Sequence, residues 1–155
     1  NNRSSGGKNV KILIINGSAH RGNTWKLVEQ AKNCLVESQK EIEFDEVHLI
    51  EEGLPFCIGC SNCFRVGYEK CPHYNVIGKI IEKIETADGI IIATTTYNMR
   101  ETALLKNLFD HFCFMLHRPH FFKSKALVIT TTGGVGGHAA AKSVKGTLLG
   151  IGFNR

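Results

Sequence analysis

Val10-Lys11-Ile12-Leu13-Ile14-Ile15-Asn16-Gly17-Ser18-Ala19-His20-Arg21-Gly22-Asn23-Thr24 decides the fold. Its first six residues are a near-continuous apolar run enriched in β-branched side chains, the pattern of a strand buried on both faces of a parallel sheet. A polar turn rich in hydroxyl, amide and glycine follows. Leu27, Val28, Ala31 and Leu35 then recur at helical spacing, with Asn23 or Thr24 available as N-cap. A strand that feeds a helix through such a turn is half of a βαβ unit.

The rest of the chain repeats that alternation. Ile42 to Leu49 reads as a second, more peripheral strand, and Ile77, Ile80, Ile81 and Ile84 mark one face of a short helix. Asp88-Gly89-Ile90-Ile91-Ile92-Ala93 is another buried strand, Leu105, Leu108, Phe109, Phe112 and Leu116 mark a third helix, and Pro119 lies beyond its end. Ala126 to Thr130 is the fourth strand, followed by a glycine-rich turn and an alanine-rich helix from about His138 to Leu149. Strands alternating with helices predict an α/β fold: a three-layer, doubly wound parallel sheet with right-handed crossovers. Gly150-Ile151-Gly152-Phe153 reads as the approach to a fifth strand. A four-stranded sheet and a chain that continues past Arg155 are both open.

Composition narrows the class. The 155 residues fit one domain over 10–155, and 43% hydrophobic with 21% charged residues is ordinary for a globular core. Residues 1–9 read as a tail, without the apolar centre of a signal peptide, and no apolar run approaches the roughly 18 residues of a membrane helix. A soluble, cytoplasmic protein without membrane attachment is expected. The net charge of +5 suits anionic small molecules or acidic partners. Its scatter, with no basic stripe interleaved with aromatics, argues against nucleic acid.

In a doubly wound sheet ligands bind beyond the carboxyl ends of the strands, where the strand order reverses. The Asn16–Thr24 turn is suited to an anion there, because backbone N–H groups and the positive end of a helix dipole converge with hydroxyls and a cation. It is neither a Walker A sequence nor a G-x-G-x-x-G fingerprint. Thr94-Thr95-Thr96-Tyr97-Asn98-Met99 follows the third strand and Thr131-Thr132-Gly133-Gly134-Val135-Gly136-Gly137-His138 the fourth. An aromatic side chain in one loop and open backbone in the other suit a flat heterocycle whose phosphate sits in the first loop.

The loop between the second strand and the next helix, residues 54–73, holds Cys57-x-x-Cys60-x-x-Cys63 and, after seven residues, Cys71-Pro72. Four thiols this close suit an iron-sulfur cluster. A structural zinc site usually has two Cys-x-x-Cys pairs about 12 to 20 residues apart, so zinc, a disulfide or free thiols are the alternatives. His73 beside the run is read as a surface residue, and His111, His117 and His120 as no metal-binding set. Cys34 and Cys113 are read as small buried hydrophobes inside helices.

Together these motifs resemble the flavodoxin-like NAD(P)H-dependent FMN reductase and iron-sulfur flavoprotein superfamily, over roughly Val10 to Phe153. The family's Gly-Ser-Pro-Arg, spacer, Gly-Asn-Thr motif is similar to Gly17-Ser18-Ala19-His20-Arg21-Gly22-Asn23-Thr24. Its second motif resembles Thr94 to Asn98 followed by Leu105-Lys106-Asn107-Leu108-Phe109-Asp110, with Thr95 where the family usually has proline and Met99 where glycine is common.

The resemblance implies a strand order of 2-1-3-4 and an FMN phosphate held by Ser18, Asn23 and Thr24. The family's arginine falls at His20 or Arg21. It further implies flavin contacts from Thr95, Thr96, Tyr97, Asn98, Thr132, Gly133 and Gly134, and His138, which opens a helix beside that last loop, is a further candidate contact. A 4Fe-4S cluster would be ligated by Cys57, Cys60, Cys63 and Cys71. The expected function is an FMN-dependent oxidoreductase or electron-transfer protein. Its electrons would come from NAD(P)H or a carrier such as ferredoxin and pass to a small-molecule acceptor. A reductase without a cluster and a non-enzymatic flavin carrier are the alternatives. Redox chemistry would belong to the cofactors, so no side chain is expected as a catalytic acid or base. Leu104, Phe114 and Met115 exceed what one core-facing stripe requires, which predicts a homo-oligomer contact on the helix from Glu101 to Leu116.

Overall fold

The computed structural model describes residues 9–38 and 41–153. The expected tail over 1–9 lies outside them apart from Asn9. In chain order the elements are β1 (Val10–Asn16), α1 (Asn23–Ser38), β2 (Ile42–His48), α2 (Asn62–Arg65), α3 (Tyr74–Thr86), β3 (Gly89–Tyr97), β4 (Arg100–Glu101), α4 (Ala103–His111), β5 (Lys125–Thr131) and α5 (Gly137–Gly150). One 3₁₀ turn, Tyr68–Lys70, precedes α3, and another, Cys113–Leu116, follows α4.

Four strands pair in parallel in the order β2-β1-β3-β5. This is the expected 2-1-3-4 arrangement, with the two-residue β4 added. β4 folds back antiparallel on β3, Tyr97 opposite Arg100, through Asn98 and Met99 at φ 47° and 69°.

Alternation along the strands sorts the core into two layers. Ile12 and Ile14 of β1, Ile91 and Ala93 of β3 and Ile129 of β5 pack under α1 against Trp25, Val28, Ala31 and Leu35. Leu13, Ile15, Ile90 and Ile92 face the other way, onto α3, α4 and α5. All four isoleucines of the α3 stripe are at most 2% exposed. Burying each contributes about 1.5–3 kcal/mol before chain entropy is counted, which is why this short helix docks firmly.

Three readings change. The helix expected through Leu116 ends at His111. Phe112, Phe114 and Met115 are all buried, and after His111 the chain tightens to 3₁₀, Met115 N–H donating to the Phe112 carbonyl. Phe114 and Met115 therefore fill this chain's own core, and the apolar excess does not call for a partner surface. Gly150 ends α5 and residues 151–153 turn instead of starting a strand. Gly152 sits at φ 110°, the Ile151 carbonyl accepts from the N–H groups of His120 and Phe121, and Phe153 stacks on Phe121 with centroids 4.8 Å apart. Finally, Cys113 belongs to the 3₁₀ turn rather than to a helix and is half-buried, and Cys34 on α1 is exposed, so neither is a fully buried hydrophobe. Among the described residues no helix is long and apolar enough to cross a membrane.

Candidate flavin cleft and cysteine pocket

The strand ends and the helix start build the first site. At the carboxyl end of β1 the chain makes a tight exit: Gly17 N–H donates to the Ala93 carbonyl at 2.7 Å, and Thr102 Oγ1 donates to the Gly17 carbonyl at 2.5 Å. Thr102 also caps α4 by accepting from Leu105 N–H. A Cβ at Gly17 would lie 2.9 Å from Leu105 Cβ, so only glycine fits this crossing.

Ser18 follows, 5% exposed, its N–H donating to Asn16 Oδ1 and its Oγ accepting from Thr95 N–H at 3.1 Å. That leaves the Ser18 hydroxyl proton free to donate. Thr24 pairs with Thr131 across the mouth, the two hydroxyl oxygens 2.5 Å apart. Only one of their two protons can lie between them. The first turn of α1 has N–H groups without intrahelical partners.

These groups surround a cleft of about 240 Å³ lined by Ser18, His20, Gly22, Asn23, Thr24, Thr95, Tyr97, Thr131, Thr132 and Gly133. Tyr97 is 57% exposed, so its ring is not committed to the core, and a Cβ at Gly133 would meet nothing within 4 Å. Donors gather at one side, with an aromatic ring and open backbone completing the wall. This composition fits a phosphate joined to a planar ring.

Several expected residues stand elsewhere. Arg21 turns away from the cleft, its guanidinium 2.9 Å from His48 Nε2 and over the Trp25 ring. Thr96 pairs with the Thr130 hydroxyl, Asn98 makes the β3–β4 turn, and Gly134 is outside the lining set. His138 borders a different cavity, between β5 and α5. Thr131 joins the cleft without having been singled out. Its place at the end of a central strand was the available signal.

The cysteine loop makes the second site. It leaves β2 at the same sheet edge but folds down over α3 and α4. Cys57, Cys60, Cys63 and Cys71 line one pocket together with Ile77, Ile81, His111 and Phe114. Cys113 from the second 3₁₀ turn joins them. Burial pushes the Cys113 thiol up to about 11, with Cys63 and Cys57 beside it adding to the rise, and burial also raises Cys63. Gly59, Ser61 and Gly67, all at positive φ, bend the backbone round the sulfurs.

Asn107 of α4 pins this loop. It is 6% exposed, accepts from Cys57 N–H at 3.1 Å, and donates to the carbonyls of Leu54 and Pro55 at 3.1 Å each. His111, one helical turn on, points Nε2 at His73 Nδ1 at 3.0 Å. Sequence spacing gave no hint of this pair, because residues 73 and 111 meet only when the loop lies on α4.

A single tetrahedral metal with about 2.3 Å Zn–S bonds would bring its thiolates to roughly 3.8 Å from one another. Among the described residues, the set whose ligand atoms all lie within 4.8 Å of one another is Cys71, His73 and His111, not a trio of cysteines.

Over 102 residues the chain is 38% identical to an iron-sulfur flavoprotein of Methanocaldococcus jannaschii, covering 65% of this chain and 51% of that protein. With an iron-sulfur flavoprotein of Clostridioides difficile it shares 29% over 143 residues, 91% of this chain and 62% of that protein. The chain thus spans about half to two thirds of the length of these relatives. In backbone it is similar to an azoreductase from Bacillus anthracis, at TM-score 0.77 and 18% identity over 94% of this chain and 83% of that one. An NADH:FMN oxidoreductase in its apo form superposes at TM-score 0.64 and 23% identity, over 94% and 71%. The family profile described as NADPH-dependent FMN reductase matches residues 10–154, nearly the whole chain, and the chain belongs to that family.

Proposed function

We propose that the chain is the FMN-binding part of a flavin-dependent oxidoreductase of the iron-sulfur flavoprotein kind, with a 4Fe-4S cluster in its cysteine pocket. The observation that carries this reading is the cleft at the ends of β1, β3 and β5, where hydroxyls, the α1 N-terminus and Tyr97 meet. Bound FMN would supply the exchange between two-electron and one-electron steps, and the cluster would carry single electrons.

The chain's own residues would bind and orient. Ser18 Oγ–H and the N–H groups of the first α1 turn donate to the phosphate, and the Thr24–Thr131 pair has one further proton to offer. His20, rather than Arg21, is the side chain on the cleft that can add positive charge when protonated. Tyr97 and the Thr132–Gly133 backbone, which line the same cleft, would hold the flavin ring. Cys57, Cys60, Cys63 and Cys71 would ligate the cluster. Asn107, through Cys57 N–H, fixes where the first of them stands. The electron donor is NAD(P)H, in keeping with the family's name, or a reduced carrier such as ferredoxin, and the acceptor is a small molecule.

The test is anaerobic reconstitution of the full chain with FMN, ferrous iron and sulfide, with flavin, iron and acid-labile sulfide assayed on the desalted protein. One FMN and roughly four irons per chain support the reading. FMN without iron leaves a reductase without a cluster. Failure to retain FMN at micromolar concentration refutes it. Adding NADH, NADPH or reduced ferredoxin to the loaded protein then identifies the donor by which one bleaches the flavin.

A further inference from the structure

We propose a second metal site, for a single divalent late first-row ion such as Zn²⁺ or Fe²⁺, formed by Cys71 Sγ, His73 Nδ1 and His111 Nε2. It does not depend on the other cysteines. The three residues present one ligand atom each, all within 4.8 Å of one another. The imidazole nitrogens are 3.0 Å apart, close to the edge of a tetrahedral coordination sphere.

The orientation of His111 is what makes this a built site. His111 is 5% exposed, and its Nδ1 lies 2.9 Å from the Asn107 carbonyl oxygen. A carbonyl can only accept, so Nδ1 carries the proton and Nε2 of the neutral ring keeps its lone pair toward Cys71 and His73. Metal-ligating histidines are held this way, the other ring N–H donated to a carbonyl that fixes both tautomer and ring plane. The surrounding order is high. Cys71 N–H donates to Tyr68 O, its own carbonyl caps Tyr74 N–H, and the first turn of α3 follows, so the Cys-x-His segment is held at both ends.

One thiolate and two imidazoles are a borderline donor set that favours Zn²⁺, Co²⁺ or Fe²⁺ over Mg²⁺ or Ca²⁺. Three protein ligands leave a fourth position for water or an added ligand. On binding, Cys71 gives up its thiol proton and His73 moves its proton to Nε2. Because Cys71 is also the fourth thiolate of the proposed cluster, the two occupants exclude each other. The ion clamps residues 71–73 to α4 when the cluster is absent. This inference shares one cysteine with the proposed function and otherwise rests on different residues.

Co²⁺ is the probe, added anaerobically to the full, cluster-free chain, because its visible bands report tetrahedral geometry and its near-ultraviolet band reports thiolate ligation. One Co²⁺ per chain with both signatures is expected. His73→Ala weakens binding by more than the about 10- to 100-fold that loss of an outer-sphere partner costs, and His111→Gln does the same. The triple variant Cys57→Ala/Cys60→Ala/Cys63→Ala binds Co²⁺ as the parent does. His73 is only half-buried, so its alanine variant serves even if a change at His111 disturbs folding.

The proposal is overturned if the parent does not bind Co²⁺, if His73→Ala binds as tightly as the parent, or if the triple variant loses binding. Reconstitution with iron and sulfide on the same proteins separates the two readings. His73→Ala retains the cluster and the triple variant loses it. A parent that takes Co²⁺ in this pattern but never a cluster refutes the proposed cluster and leaves this site standing.

Discussion

Replacing Asn107 by alanine should loosen the cysteine loop without unfolding the domain. The side chain makes three hydrogen bonds, all to the backbone of residues 54–57, and among the described residues these are the side-chain–backbone bonds that tie that stretch to α4. Each such bond contributes a net of about 0.5–1.5 kcal/mol. The freed groups belong to a loop in which Pro55 and Cys57 are exposed, so water recovers part of the loss, and about 2 kcal/mol is the expected cost. At about 1.4 kcal/mol per decade this raises the population of the open loop about 30-fold.

The assay is pulsed alkylation of the reduced, metal-free protein, followed residue by residue by mass spectrometry. Half-buried Cys63 should label about 30-fold faster in Asn107→Ala, while Cys34, exposed on α1, labels at the parent rate. Asn107→Asp keeps the acceptor for Cys57 N–H but sets a carboxylate against two carbonyls, and should be no better than alanine. Cys63 labelling within twofold of the parent in Asn107→Ala would refute the idea that this residue holds the loop.

Gly17→Ala should lower stability by about 1–3 kcal/mol in urea unfolding at unchanged slope, since its Cβ meets Leu105 Cβ at 2.9 Å and Ala93 O at 3.3 Å and neither can retreat from the core. Gly22→Ala, with nothing within 4 Å of its Cβ, should stay within about 0.5 kcal/mol of the parent. Burial opposes the charge on Glu46, but hydrogen bonds from Lys32 and His48 outweigh it and hold the carboxyl below its usual 4.5. A lowered carboxyl stabilises the fold above its unfolded value and loses that contribution as pH falls through the folded one. The stability gap between parent and Glu46→Gln, at most about 1 kcal/mol for so exposed a pair, should therefore be constant near neutrality and close below pH 4.5. With its thiol at about 11 against an ordinary 9.0, Cys113 should alkylate at pH 8 about 100-fold more slowly than an ordinary exposed thiol, the rate rising steadily toward pH 11.

Much of the fold was legible because buried parallel strands and amphipathic helices carry their burial in their periodicity. Val10–Ile15, Asp88–Ala93 and Ala126–Thr130 read as strands and stand as such, Asp88 excepted, in the expected order. The segment 105–116 misled because apolar density does not distinguish one helix from a helix plus a 3₁₀ turn. The β3–β4 hairpin was missed because it rests on two positive-φ residues, Asn98 and Met99, of which methionine is an improbable occupant.

By itself the sequence determined that the chain is α/β, that loops after its central strands form the cleft, and that four cysteines share one loop. These follow from local pattern and chain order. Only the tertiary structure decided which polar residues face that cleft, turning His20 in and Arg21 out onto His48 and Trp25. It alone folded the loop onto α4, bringing Cys113, Asn107 and His111 to the cysteines and His73 to His111. Those meetings span 38 to 56 residues of sequence. They depend on how one loop packs against a helix, which no local period encodes.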